Sequence, residues 1–119
     1  MSGAKMKAAI TTAYGLSDVL NIEEVAIPTI ASDEILVEVK AASINPLDWK
    51  IRSGELKMMT GKIAPKILGS DYSGIVSKIG TDINNVKIGN QVFGMVNGMK
   101  VKEGSHAEFI RVKENDIWL

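Results

Sequence analysis

Ser43-Ile44-Asn45-Pro46-Leu47-Asp48-Trp49-Lys50-Ile51-Arg52-Ser53-Gly54 breaks into a chain that otherwise reads as short strands. Its local chemistry predicts a short helix. Asn45 suits the N-cap, Pro46 the first helical position, and Asp48 places negative charge in the first turn. Lys50 and Arg52 sit where cations complement the other end of the dipole, and Gly54 can end the turn. The same residues gather an amide, a carboxylate, an indole and two cations, so any chemistry is expected here. A purely structural helix accounts for the same residues.

Immediately upstream, Glu34 to Ala42 gives the clearest alternation in the chain. Ile35, Val37, Val39 and Ala41 fall on one face, with Glu38 and Lys40 on the other, which predicts a strand with one buried and one wet face. Further back, Lys5 to Ala13 reads as a first strand with Met6, Ala8, Ile10 and Thr12 sharing a face. Tyr14-Gly15 closes it. Leu20 to Val25 reads as its hairpin partner, ended by Pro28.

Downstream, Glu55 to Lys66 has no clean period and contains Gly61 and Pro65, as a loop or irregular turn would. Met58-Met59 in it could line an apolar cleft or fill core. Leu68 to Gly74 carries Ser70, Asp71 and Tyr72 on a bend between glycines, followed by a β run through Ile75, Val76 and Ile79. Thr81 to Asn85 is polar turn chemistry. Val86, Ile88, Val92, Phe93, Met95 and Val96 supply short β pieces punctuated by Gly89, Gly94 and Gly98. Ala107 to Val112 makes a last strand, and the apolar Trp118-Leu119 needs something to pack on. The whole predicts a mainly β, partly open barrel with short helices.

Composition narrows the function classes. The 119 residues suit one domain, expected to span 1–119. Fourteen basic and fourteen acidic residues cancel and are scattered, so no stripe would track a nucleic acid backbone. No apolar run approaches the roughly 20 residues of a membrane span, and no secretory signal opens the chain. A soluble, cytoplasmic protein is expected. Met6-Lys7 looks like a natural start, with residues 1–5 an added extension. Cysteine is absent, which excludes disulfides and thiolate chemistry, and His106 is the single histidine, so no native zinc site is expected. His106 itself reads as a strand-edge residue. Neither G-x-G-x-x-G nor G-x-x-x-x-G-K-[ST] occurs, so the chain carries no phosphate cradle of its own.

Three blocks carry a resemblance: Ala42 to Gly54, Pro65-Lys66-Ile67-Leu68-Gly69-Ser70-Asp71-Tyr72-Ser73-Gly74-Ile75-Val76, and Gly104-Ser105-His106-Ala107-Glu108-Phe109. In this order the chain resembles the N-terminal domain of the medium-chain dehydrogenase/reductase superfamily, and more narrowly its zinc-independent quinone oxidoreductase branch. Tyr14-Gly15 with Leu20, and Ile35 to Val39, match the family opening. Asn90 departs from it, standing where the family usually has an acidic residue; Asn can make the same Asx-type bond.

The resemblance implies a GroES-like β fold, a Rossmann cofactor domain absent from this chain, and a cleft between the two for NADPH and substrate. The positions of Asn45, Ser70 and Asp71 match a Cys, a His and a Glu in zinc-dependent relatives, so metal-free hydride transfer to a quinone or α,β-unsaturated carbonyl is implied. The resemblance implies Asn45 and Asp48 as the catalytic positions. Asn45 and Pro46 meet the nicotinamide end of the cofactor, with the Asn45 NH2 able to donate to a substrate oxygen or cofactor hydroxyl. Asp48 orients the turn through Lys50 or Arg52 rather than acting as an acid. Ser70 and Tyr72 line the substrate side, or serve as turn polarity and a half-buried ring. A homodimer of the full-length protein is a further implication. The competing expectation is a non-catalytic GroES-like binding or assembly module, with the Met58-Met59 loop as its apolar arm.

Overall fold

The computed structural model describes residues 4–60, 66–97 and 101–119. Gly61, Pro65 and Gly98, read above as loop punctuation, lie outside the described residues, as do the first three residues of the expected extension.

In chain order the strands are β1 (Lys5–Thr11), β2 (Leu20–Ala26), β3 (Glu34–Ala41), β4 (Lys66–Ile67), β5 (Asp71–Ile79), β6 (Gln91–Met95), β7 (Phe109–Lys113) and β8 (Ile117–Trp118). Helix α1 (Pro46–Ser53) and the single turn α2 (Lys57–Thr60) fall between β3 and β4. Two sheets form, ordered β2-β1-β4 and β7-β3-β5-β6-β8. The segment 103–108 ties them: Ala8 bridges Ala107, Ile67 bridges Glu103, and the Val39 N–H donates to the Glu108 carbonyl at 2.8 Å. This curled pair of sheets is the mainly β, partly open arrangement expected.

Strand β3 lies inside the five-stranded sheet, its inward side chains β-branched and apolar, and pairs antiparallel with both β5 and β7. Ile35 and Val37 pack with Tyr72, Val76, Val92 and Ile110 in the main core. Burying a Val or Ile side chain contributes about 1.5–3 kcal/mol, so this cluster dominates the driving force. A smaller core of Met6, Ala8, Ile10 and Ile67 lies under the other sheet.

Four local expectations are corrected. Strand β1 stops at Thr11, which is fully buried and spends its hydroxyl on the Ala13 carbonyl at 2.8 Å; that bond turns the chain and leaves Thr12 outside. Leu36, on the face expected to be wet, is buried. Its cross-strand neighbour Arg111 shares that face and is held there by the Thr29 carbonyl and Glu103. Met58 and Met59 do not fill core, being 98% and 64% exposed. Val86, Ile88 and Val96 lie outside any strand.

Other expectations hold. Asn90 Oδ1 accepts the Lys87 N–H at 2.9 Å, the Asx-type bond anticipated. Trp118 packs on Phe93, ring centroids 6.0 Å apart.

Candidate active site

Three segments converge where β3 gives way to α1. The chain leaves β3 at Ala41, opposite Ser73 of β5, so residues 42–45 run beside the start of β5 at Asp71. Asn45 is the N-cap of α1, with extended backbone, and Gly54 ends the helix in the left-handed conformation at φ 92°. The third segment, Gly104 to His106, is pinned by the His106 N–H on the Leu68 carbonyl at 3.0 Å and the Ala9 N–H on the His106 carbonyl at 2.9 Å.

Their polar side chains form one connected group. Ser43 Oγ lies 2.6 Å from Asp71 Oδ1, and the Ser43 N–H donates to the same oxygen. Asn45 Nδ2 reaches Ser43 Oγ at 3.1 Å and Asp71 Oδ2 at 3.3 Å. The Ser43 hydroxyl holds the Asp71 carboxyl below the usual carboxylate range, overcoming the opposing effect of burial, and the Asn45 amide adds a lesser lowering. On the inner side, Asp48 is 3% exposed and its Oδ2 accepts the Asn45 N–H at 2.8 Å. His106 Nε2 lies 2.9 Å from the Ser43 carbonyl oxygen and 4.0 Å from Asp48 Oδ2.

Of the expected site residues, Asn45, Pro46 and Asp48 come together at the helix start, and Ser70 adjoins Asp71. Tyr72 does not join them. Its ring is in the main core, 4% exposed, and its hydroxyl donates to the Asp116 carbonyl at 2.9 Å, while burial pushes that hydroxyl well above the usual phenol range. The anticipated routes from Asp48 through Lys50 or Arg52 are also corrected. Arg52 Nε donates to the Gly15 carbonyl and Lys50 lies over the Trp49 ring, so Asp48 holds the turn through the Asn45 backbone. The Asn45 NH2, expected to face a ligand, is engaged by Ser43 and Asp71.

Ser43 and His106 were not singled out as site residues in the sequence. The signal available for His106 was its place in the third resembling block; Ser43 gave none beyond its proximity to Asn45. Ser70 Oγ and Ser105 Oγ are buried and have no hydrogen-bond partner among the described residues. A groove of about 870 Å³ elsewhere, lined by Ile10, Lys66, Ile67, Val101 and Arg111 among others, includes none of the expected site residues.

The donor set decides the metal question. Among the described residues no group of three or more His, Cys, Asp or Glu side chains could hold a metal ion. Asn45, Ser70 and Asp71 offer an amide, an alcohol and one carboxylate, a poor set for zinc.

Residues 31–119 match the alcohol dehydrogenase GroES-like domain, about three-quarters of the chain. The chain belongs to that family. Its relatives place this GroES-like domain in the zinc-independent, quinone oxidoreductase-like branch of the medium-chain dehydrogenases/reductases. It is 37% identical to the 2-methylene-furan-3-one reductase of Solanum lycopersicum, over 98% of this chain and 31% of the relative. It is 36% identical to the NADPH-dependent alkenal/one oxidoreductase of Arabidopsis thaliana, over 92% of this chain and 30% of the relative. In structure it is similar to the quinone oxidoreductase from Coxiella burnetii, with a TM-score of 0.85 and 33% identity over 97% of this chain and 37% of that one. The GroES-like domain thus spans about a third of the length of these proteins.

Proposed function

We propose that this chain is the substrate-facing domain of an NADPH-dependent, zinc-independent oxidoreductase that transfers hydride to a quinone or α,β-unsaturated carbonyl. The observation that carries the reading is the ordered Ser43-Asn45-Asp71 group at the start of α1, in a chain of this family and without a zinc donor set. The names of the relatives, a furanone reductase, an alkenal/one oxidoreductase and a quinone oxidoreductase, support the substrate class.

The residues present fit the nicotinamide end of such a cofactor. Ile44, Pro46 and Trp49, its neighbours in the chain, are exposed and apolar, the kind of surface a flat ring packs on. Asn45 and Pro46 would hold that end, and a Rossmann domain outside this chain would hold the phosphates. Bound NADPH supplies the hydride. The chain's own contribution is orientation and exclusion of water. Asp48, buried and bonded to the Asn45 N–H, fixes the helix start, and His106 fixes the Ser43 carbonyl, so the polar edge is preorganised before a ligand arrives.

The test uses the protein expressed from its complete reading frame. Loss of NADPH absorbance on addition of a quinone or of cyclohex-2-enone is the expected outcome. No oxidation with either, together with a ring-sized mass by light scattering, would favour an assembly module instead.

A further inference from the structure

The groove away from the site has an apolar floor and one amine set into it. Ile10, Ile67, Val96 and Val112 line it and are almost wholly buried, with Val25 and Val101 half-buried beside them. Its volume of about 870 Å³ is in the range of roughly 300–1,000 Å³ common to small-molecule sites. Lys66, which opens β4, lines the same groove and is half-buried, and its Nζ donates to the Val101 carbonyl at 2.6 Å. Among the described residues no carboxylate forms an ion pair with it. The other charged groups of the groove are partly spoken for: Arg111 holds Glu103 at 3.0 Å, Lys113 holds Asp33 at 2.7 Å, and Glu34 accepts the Ala31 N–H, leaving Lys102 and Asp116. Burial lowers the Lys66 pKa, which raises the share of neutral amine. A neutral amine has two hydrogens and a lone pair. With one hydrogen on the Val101 carbonyl, the lone pair stays available as a nucleophile.

We propose that Lys66 is a covalent capture site for α,β-unsaturated ketones that carry an alkyl chain, with its amine as the nucleophile and the apolar floor of the groove as the seat of the chain. The step is a conjugate addition. The Nζ lone pair forms a bond to the β-carbon, the C=C π pair moves toward the carbonyl as an enolate, and a nitrogen proton passes through water to the α-carbon. A secondary amine and a saturated ketone result, with no leaving group and no external oxidant or reductant. The step uses neither NADPH nor any of Ser43, Asn45 and Asp71, so it is a second chemistry of the chain and does not depend on hydride transfer. Binding the chain on Ile10, Ile67 and Val101 holds the β-carbon near Nζ, which turns a bimolecular encounter into a positioned one.

The test uses the complete protein at mildly alkaline pH, without NADPH, with a limiting amount of oct-1-en-3-one, and maps the modified lysines by mass spectrometry of its peptides. Lys66 should gain the mass of one octenone before exposed lysines such as Lys5 and Lys57 do. But-3-en-2-one has the same reacting carbon and no chain, and it should modify Lys66 about tenfold more slowly, the difference that a partly buried pentyl chain confers. Lys66→Arg keeps a charge and a donor for the Val101 carbonyl, and should abolish the fast phase. The comparison of the two ketones is made on the unmodified protein and does not depend on how that variant folds. Modification of Lys66 no faster than of Lys5, or equal rates with the two ketones, would overturn the proposal. Fast labelling of Lys66 in a protein that reduces neither enone nor quinone would support this site while refuting the reductase reading.

Discussion

His106 Nε2 lies 2.9 Å from the carbonyl oxygen of Ser43, although 62 residues separate the two in the chain. A carbonyl only accepts, so in this contact Nε2 carries the hydrogen and donates. The bond joins the segment after Gly104 to the turn that delivers Asn45, and Asp48 sits behind it at 4.0 Å. Replacing His106 by Ala removes the donor and should cost about 0.5–1.5 kcal/mol in a denaturation curve. His106→Gln keeps an N–H that can reach forward and should recover part of that loss. Amide exchange at Ser43 and Asn45 should rise in the Ala variant while core amides of β3 and β5 stay protected. Unchanged exchange at both positions would mean that the imidazole does not hold this turn.

Asp71 gives the chain an acid-sensitive element at the same place. Its pKa in the folded protein is below that of an ordinary aspartate, chiefly through the Ser43 hydroxyl. A depressed folded pKa stabilises the fold above the unfolded value, about pH 4, and the contribution disappears as pH falls through the folded pKa. The wild-type protein should therefore lose stability below about pH 4 more steeply than Asp71→Asn, which has no carboxyl to protonate there. Parallel stability-pH curves for the two proteins would show that Ser43 and Asn45 do not lower the Asp71 pKa.

The barrel was legible in the sequence because its period is local. Alternation over Ile35, Val37 and Val39 and the Gly punctuation are properties of a few neighbouring residues, and the main sheet follows from them. The helix was legible for the same reason, since Asn45, Pro46, Asp48 and Gly54 each act within one turn. The inner wiring of the site was not. Ser43 meets Asp71 28 positions on and His106 meets Ser43 from 63 positions away, separations that only the pairing of β3 with β5 and the return of 104–108 bring together. Leu36 and Tyr72 escaped for a related reason. Which face of a strand is covered depends on segments such as Thr29 and Asp116 that arrive from elsewhere.

Tyr72 separates a core role from a substrate-facing one. Its hydroxyl bonds the Asp116 carbonyl from inside the core, and Gly94 must lack a Cβ there, since one would run into that same carbonyl and lie 2.6 Å from the hydroxyl. Tyr72→Phe leaves that carbonyl without its donor and should cost about 1 kcal/mol of stability. NADPH oxidation by the complete protein should not change. A fall in turnover with unchanged stability would instead put the Tyr72 hydroxyl in the substrate's path.

Two glycines with positive φ, one packed against the site and one away from it, make a controlled comparison. Gly89 has φ 94° and no atom within 4 Å of where a Cβ would stand, so Gly89→Ala should cost only the left-handed backbone penalty of about 1–2 kcal/mol. Gly69 has φ 105°, and a Cβ there would fall 2.7 Å from His106 Cδ2 and 2.9 Å from the His106 backbone nitrogen, against Ser105 as well. Gly69→Ala therefore adds a steric cost to the same backbone strain, and the imidazole has to move to relieve it. The expected result is a lower melting temperature than Gly89→Ala and a displaced His106 ring signal, readily assigned because the chain has one histidine. Equal melting temperatures and an unmoved His106 signal would show that the segment carrying Gly69 does not press on His106, and that the close packing of residues 68–71 against 104–106 is looser than this geometry requires.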